Sequence, residues 1–311
     1  MTLQFNRASN AVFMIRLWQG IAVASVVVVC FILGVKDETS QRLPVIAASS
    51  VAPSRVAASV QLVGKIQSKA IEESSGIVAS RKQSGVFWTH NDKGNKASLY
   101  AITRDGSVLG DFRIDAKNQD WEDIASDDAG NLYIGNIGNN QGLRSTLEVL
   151  QVAEPAVRAG QSGTKRGERL EVGRRWRLKY PGWPFDCESL FVHSGKGYVV
   201  SKVQRGIAAT IYEFPLDQGD EVVLKEVTAL PVRSPVTAAS LSNDGAWLAV
   251  MSNAGAYLFQ VNGDIVRAGQ VQPEIIRLPK RQFEAVCFAD DGILMTAETG
   301  EIYFYHRMFG G

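Results

Sequence analysis

Cysteine is scarce. The 311 residues contain three, at positions 30, 187 and 287, too few for a disulfide scaffold. Excess charge of either sign is also lacking, with 33 Lys and Arg against 32 Asp and Glu and a net charge of +1. That balance excludes a polybasic nucleic-acid arm or an acidic solvating tail as the dominant feature, so no nucleic-acid partner is expected. Short catalytic signatures are missing as well. There is no G-x-S-x-G nucleophile elbow, no phosphate-cradling G-x-x-x-x-G-K-[ST] and no H-E-x-x-H zinc helix. Helical periodicity is absent outside one N-terminal run. What the chain has in quantity is glycine, 29 residues, which favours many tight turns over long helices.

The N-terminal run covers residues 17–35, 19 positions without a charge. As a helix it would span about 28 Å, close to the roughly 30 Å hydrocarbon core of a bilayer. Arg7 and Arg16 precede it and Lys36-Asp37-Glu38 ends it. The run exceeds the apolar core of a cleaved signal, and the small residues at Ala47-Ala48-Ser49 lie well downstream of it, so an uncleaved signal anchor is the preferred reading over a cleaved signal peptide. The expected organisation is a short segment at 1–16, a transmembrane anchor at 17–35, a flexible tether at 36–59 and one folded region at 60–311. A short N-terminus followed by a long translocated region places the protein in the inner (cytoplasmic) membrane, single-pass, with the folded part on the periplasmic, extracytoplasmic side.

Residues 60–311 are built of short alternating apolar runs separated by Gly, Asn and Asp, an all-β signature. A unit of an apolar strand, a turn, a second strand and a third strand with an aromatic recurs five times. The units open at SGIVAS (75–80), WEDIAS (121–126), CESLFV (187–192), TAASLS (237–242) and FEAVCF (283–288). The last has three strands, and VQLVGKI (60–66), which starts the region, is the expected fourth. A fourth strand from the far end of the chain closes a ring and removes exposed sheet edges. At about 50 residues per repeat this predicts a five-bladed β-propeller. Six blades is the alternative, should residues 156–173 hide further strands. Their Gly and charge content suits a loop or insertion better.

Superposing the first strands brings Ser75, Glu122, Glu188, Thr237 and Glu284 into one slot. The first strand of a propeller blade is innermost, so these residues face one another around the axis. Three carboxylates converging there repel unless a cation or protons neutralise them. An all-oxygen ring suits a hard cation taking 6–8 oxygens, so Ca2+ is the expected cofactor; Mg2+ wants a tighter octahedron and zinc wants nitrogen or sulfur. The competing reading has the carboxylates pairing with Arg or capping backbone amides.

The combination SGIVAS, VFWTHND, LYAI, DWEDIA and YIGNIGNN resembles a group of bacterial, mostly uncharacterised propeller proteins related to the TolB-like and phytase-like families, over about residues 70–300. The slot pattern Ser-Glu-Glu-Thr-Glu is similar to the calcium-holding ring of the five-bladed calcium-activated nucleotidases (apyrases). That similarity is one of pattern and implies Ca2+ near Ser75, Glu122, Glu188, Thr237 and Glu284. It does not carry nucleotidase activity over, because that family's catalytic segments have no counterpart here.

Loops between second and third strands open on the face where the first strands begin. They bring His90, Asn91, Asp92 and Lys93, then Asn136, Asn139 and Asn140, then Lys202, Gln204 and Arg205, then Asn253 and Glu298, to one mouth, with Asp120 and Asp186 just before two ring acids. His90, Asn91, Asp92, Asn139, Asn140 and Glu298 are the candidate ligand-binding residues, against the alternative that Asn and Asp stand there because turns require them. The expected function is a membrane-anchored binding or scaffold module for a polar ligand or partner protein. The alternative is a metal-dependent phosphoesterase, with Asp92 or Asp120 as general base and Lys202 or Arg205 stabilising charge. His193 and His306 have no evident catalytic partner. The basic stretch 165–179, seven cations in fifteen residues, reads as a solvated outer strand and loop, or as a contact for anionic lipid headgroups.

Overall fold

The computed structural model describes residues 60–157, 165–202, 207–307 and 309. The anchor at 17–35, the tether at 36–59, Gln204 and Arg205 lie outside these residues. Among the described residues no helix is long and apolar enough to cross a membrane.

Five sheets carry the described chain, each with four antiparallel strands. Blade 1 contains β2 (Ser74–Ala79), β3 (Phe87–Asn91), β4 (Ser98–Ile102) and β5 (Val108–Ile114). Blade 2 contains β6 (Asp123–Ser126), β7 (Asn131–Asn136), β8 (Thr146–Ala153) and β10 (Arg174–Lys179). Blade 3 is β11 (Cys187–His193), β12 (Lys196–Ser201), β13 (Thr210–Pro215) and β15 (Lys225–Ala229). Blade 4 is β16 (Val236–Leu241), β17 (Trp247–Ser252), β18 (Gly255–Gln260) and β19 (Glu274–Ile276). Blade 5 is β20 (Phe283–Ala289), β21 (Gly292–Ala297) and β22 (Glu301–His306), completed by β1 (Val60–Lys65). The ring closure expected from the repeat is thus present: β1 runs antiparallel to β22, with Val60 opposite Tyr305 and Lys65 opposite Glu301. The five first strands neighbour one another in a closed circle, β2 to β6 to β11 to β16 to β20 and back to β2.

Two further strands pass between neighbouring repeats. The stretch 156–173, expected as a loop, contributes β9 (Lys165–Leu170), which lies parallel on β5 at the outer edge of blade 1. The stretch EVVLKEV (221–227) divides between two blades. Its first half is β14 (Glu221–Val223), parallel to β10 of blade 2, and its second half is β15 of blade 3. Each addition covers an edge that would otherwise present unpaired backbone groups.

The core is divided into layers between adjacent blades. Trp88, Phe112, Trp121, Ile124, Leu132 and Leu150 fill the space between blades 1 and 2, and Trp176, Leu190, Val199 and Phe214 that between 2 and 3. Val200, Leu230, Val250 and Phe259 pack blades 3 and 4. Met251, Phe283, Met295 and Tyr303 pack 4 against 5, and Ile77, Phe87, Leu294 and Phe304 close 5 against 1. The alternating strands account for this: each sends one set of side chains to the preceding blade and the other to the next. Cys187 and Cys287 are buried free thiols in this packing.

The basic stretch is largely matched with acids. Arg175 pairs with Glu148 at 3.0 Å, Arg177 and Lys179 both reach Glu221, and Arg169 stands 3.8 Å from Asp115.

Candidate functional site at the mouth of the ring

The slot residues share a local backbone device. In β2 the register shifts between Ser74 and Gly76, so Ser75 is an extra residue without a cross-strand partner. The same shift leaves Glu188 extra in β11, Thr237 in β16 and Glu284 in β20. Glu122 stands immediately before β6, its N–H donating to Gly135 O at 2.9 Å. A bulge re-aims the extra side chain and ends regular pairing; here it turns four side chains out of the sheets at the entrance of the innermost strands.

A cavity of about 200 Å³ opens there. Its wall includes Ser75, Glu122, Glu188 and Glu284 of the slot, with Glu73, Ser74, Asp92, Lys93, Asn140, Lys202 and Glu298. Thr237 is not part of the wall; its hydroxyl donates to Phe283 O of the next blade at 2.8 Å. Ser75 Oγ likewise donates across a blade boundary, to Glu122 O at 3.1 Å, yet still faces the cavity.

The other candidates divide between wall and framework. Asp92, Asn140 and Glu298 line the cavity. Asn91 is buried behind it, accepting from the amides of Glu72 and Glu73 and donating to Ala70 O. Asn139 is a buried loop clamp: its amide N–H donates to Asp186 Oδ1 at 2.6 Å, and its side chain donates to Arg144 O and Tyr180 Oη. His90 is fully buried, edge-on to Trp121 with ring centres 5.6 Å apart, and its Nδ1 lies 3.1 Å from Asn91 O. Burial depresses its pKa to about 4. His193 is partly buried against the turn at Gly245, and His306 is exposed, 3.9 Å from Asp291.

Electrostatically the cavity is acidic with two tethered cations. Lys202 pairs with Glu188, and Lys93 Nζ stands 3.3 Å from Asp120 Oδ1, out of line for a hydrogen bond. Burial, then the neighbouring acids Glu188, Asp92, Asp120 and Asp186, push the Glu122 carboxyl up to about 10. Burial also raises Glu188 to about 7, the Lys202 ammonium working against it, and raises Glu284 to about 7. No donor among the described residues hydrogen-bonds the Glu122 carboxylate. That carboxylate faces the cavity, and Asp186 Oδ2 is buried without a hydrogen-bond partner. Orphaned buried oxygens of this kind mark a place where a cation or a ligand donor completes the set.

One residue that sequence reasoning passed over lies beneath the ring. Asp123, one position deeper than Glu122 and fully buried, accepts from the amides of Ile124 at 2.8 Å, Leu190 at 2.9 Å and Ala239 at 3.3 Å. It thereby ties the inner strands of blades 2, 3 and 4. An acid in four of the five aligned inner strands would have looked like a second ring; a single one carries no repeat signal. A separate cavity of about 20 Å³ lies among Ile124, Leu190, Ala239, Leu241 and Cys287.

No family model matches the chain. No curated protein matches it either. Among solved structures it is similar to a catalytically inactive virginiamycin B lyase from Staphylococcus aureus with quinupristin, at 12% identity, 76% of this chain, 66% of that one and a TM-score of 0.41. A selenomethionine-substituted form of the same lyase gives 13% identity, 73% and 65% coverage and a TM-score of 0.40. Hydrazine synthase from Kuenenia stuttgartiensis gives 12% identity, 73% and 56% coverage and a TM-score of 0.40. The chain spans less than two thirds of each of these proteins' own length. The fold rests on the sheet order. It is a five-bladed propeller.

Proposed function

We propose that this protein is a membrane-anchored, extracytoplasmic binding or scaffold module that holds Ca2+ in the mouth of its propeller and takes a polar ligand or partner protein there. The observation that carries the reading is the cavity wall: Glu73, Asp92, Glu122, Glu188, Glu284 and Glu298 against Lys93 and Lys202. Carboxylates crowded in a partly dehydrated space repel one another strongly, and a divalent cation offsets that repulsion while supplying open positions for a ligand oxygen. The oxygen-only donor set suits Ca2+ over Zn2+. Support for a protein partner comes from the rim. Leu143, Trp183 and Ile207 are among the most exposed large apolar side chains, and all three sit in loops on the mouth face of blades 2 and 3.

Binding is favoured over phosphoester hydrolysis because Lys202, the described lysine expected to stabilise charge, is already engaged with Glu188. The membrane assignment rests on the apolar run 17–35.

Calorimetric titration of the full-length chain in detergent micelles with CaCl2 and MgCl2 tests the reading, with p-nitrophenyl phosphate turnover measured alongside. Saturable Ca2+ binding without turnover is expected. Neither heat nor a rise in melting temperature at millimolar Ca2+ overturns the calcium reading, and metal-dependent turnover moves the assignment to a hydrolase. Recovery of the chain in a carbonate-washed membrane fraction is expected, and release into the wash argues against the anchor.

A further inference from the structure

The ring of five slot residues suggests an ion on the propeller axis. The structure arranges the oxygens differently, and the site follows from which of them are uncommitted.

Asp92 follows β3 in blade 1, and Asp120 and Glu122 precede β6 in blade 2. One carboxylate oxygen from each lies within 4.8 Å of the other two. Two oxygens on opposite sides of a bound Ca2+ stand about 4.6–5.2 Å apart, twice the usual Ca–O distance. The three oxygens therefore fit one ion without rearrangement of the backbone.

Three of the remaining slot residues, Ser75, Glu188 and Thr237, are committed to partners, Ser75 donating to Glu122 O. Lys202 holds Glu188, Thr237 donates to Phe283 O, and Glu284 lies outside the group of three.

A second set of observations points to a ligand at the trio. Glu122 is only 6% exposed, faces the cavity and has no hydrogen-bond donor among the described residues. Asp120 Oδ1 is buried, with the Lys93 ammonium 3.3 Å away as its charge partner. Gly138 keeps the space beside them open: a Cβ there would come 2.1 Å from Glu122 Oε1 and 2.4 Å from Asp120 Cγ. The nearest positive charge is the ammonium of Lys93, whose side chain is half exposed and free to turn outward.

We infer that the divalent cation sits off the axis, at the boundary of blades 1 and 2, on Asp92, Asp120 and Glu122, with Lys93 as the tethered cation it displaces. This rests on the calcium reading above and deepens it. Glu188 and Lys202 then stay paired on the opposite wall. The ion's open positions face the cavity, where Asn140 and a ligand oxygen are within the same enclosure. The site as a whole would take a ligand with a carboxylate or phosphate oxygen for the metal.

The test compares Ca2+ affinity of the full-length chain by calorimetry, with Tb3+ luminescence as a second readout. Asp120→Asn and Asp92→Asn are each expected to weaken binding at least tenfold, and Glu284→Gln less than twofold. Asp92 is partly exposed, so its variant decides the matter if Asp120→Asn does not fold. Lys93→Met is expected to bind Ca2+ at least as tightly as the wild type. A loss in Glu284→Gln equal to that in the aspartate variants, or unchanged affinity in Asp92→Asn, overturns the off-axis seat while the calcium reading stands. No Ca2+ binding by the wild type removes both.

Discussion

The carboxylate of Asp123 in blade 2 accepts the backbone N–H of Leu190 in blade 3 at 2.9 Å. The same oxygen accepts from Ala239 in blade 4 at 3.3 Å, so one side chain joins three blades at the centre of the ring. Burial pushes the carboxyl well above its ordinary range, and the three amides aimed at it work the other way. Strand-to-strand bonding is confined within each sheet, and the blades are joined by apolar layers and by side-chain bonds such as Ser75 to Glu122 O and Thr237 to Phe283 O. Asp123 adds a directional link where the inner strands meet.

Removing that link leaves buried amides without an acceptor, each costing about 1–3 kcal/mol. Asp123→Ala is expected to lose about 3 kcal/mol or more in urea denaturation. Asp123→Asn keeps an oxygen for Leu190 and Ala239 and is expected to lose less. Equal stability of Asp123→Ala and wild type would show the bonds to be incidental.

Gly138→Ala separates the site from the fold. The added methyl meets carboxylate atoms of Glu122 and Asp120 at the cavity wall, with the Gly138 carbonyl still held by Arg144 at 2.6 Å. Ca2+ affinity is expected to fall at least tenfold, with a stability loss of about 1–3 kcal/mol typical of overpacking. Unchanged affinity would mean the ion does not sit beside Gly138.

Lys202 and Glu188 form a largely buried pair, with side chains 22% and 7% exposed. Breaking such a pair from one side leaves a buried charge and costs about 3 kcal/mol. At pH 8, Lys202→Met is expected to be strongly destabilised, and adding Glu188→Gln should recover part of the loss, giving a coupling of about 1 kcal/mol or more. Near pH 5 the penalty should shrink, because an unpaired Glu188 takes up a proton. Strict additivity at pH 8 would contradict the pairing.

His90 predicts an acid-side loss of stability. Its pKa is about 4 in the fold and 6.5 in the unfolded chain, so above pH 6.5 the ring is neutral in both states. As pH falls from 6.5 towards 4 only the unfolded chain binds the proton, and stability drops by up to about 1.4 kcal/mol per pH unit. The stability difference between wild type and His90→Gln, measured in urea at pH 7 and pH 4.5, should therefore move against the wild type at the lower pH. A pH-independent difference would rule this out.

The blades were readable because each repeats an apolar alternation with turn glycines such as Gly130 and Gly245, both at positive φ. The slot was readable too, since Ser75, Glu122, Glu188, Thr237 and Glu284 share a position before like sequences. That this position is a bulge was not, and a bulge reverses which side chains face the sheet and which the mouth. His90 and Asn91 are the last paired residues of β3 and sit behind the wall, while Asp92, just past the strand, stands on it. Strand β9, with Lys, Arg and Glu in KRGERL, was hidden for another reason: an outer edge strand needs no buried face, so no hydrophobic period marks it. The trio of Asp92, Asp120 and Glu122 draws on two repeats at unlike positions, which superposing repeats cannot reveal.

Ring closure also sets a schedule for folding. β1 precedes every blade in the chain, yet its partner β22 is the last of the described strands. Throughout translation β1 therefore waits with both edges open, and Leu62, still 61% exposed in the finished ring, adds an apolar side chain to that edge. Such a segment invites pairing with another chain until its own C-terminal strand arrives. Loss of residues 301–307 would make that waiting state permanent, so a truncated chain should be recovered in aggregates or bound to chaperones even though four of its blades have all their strands.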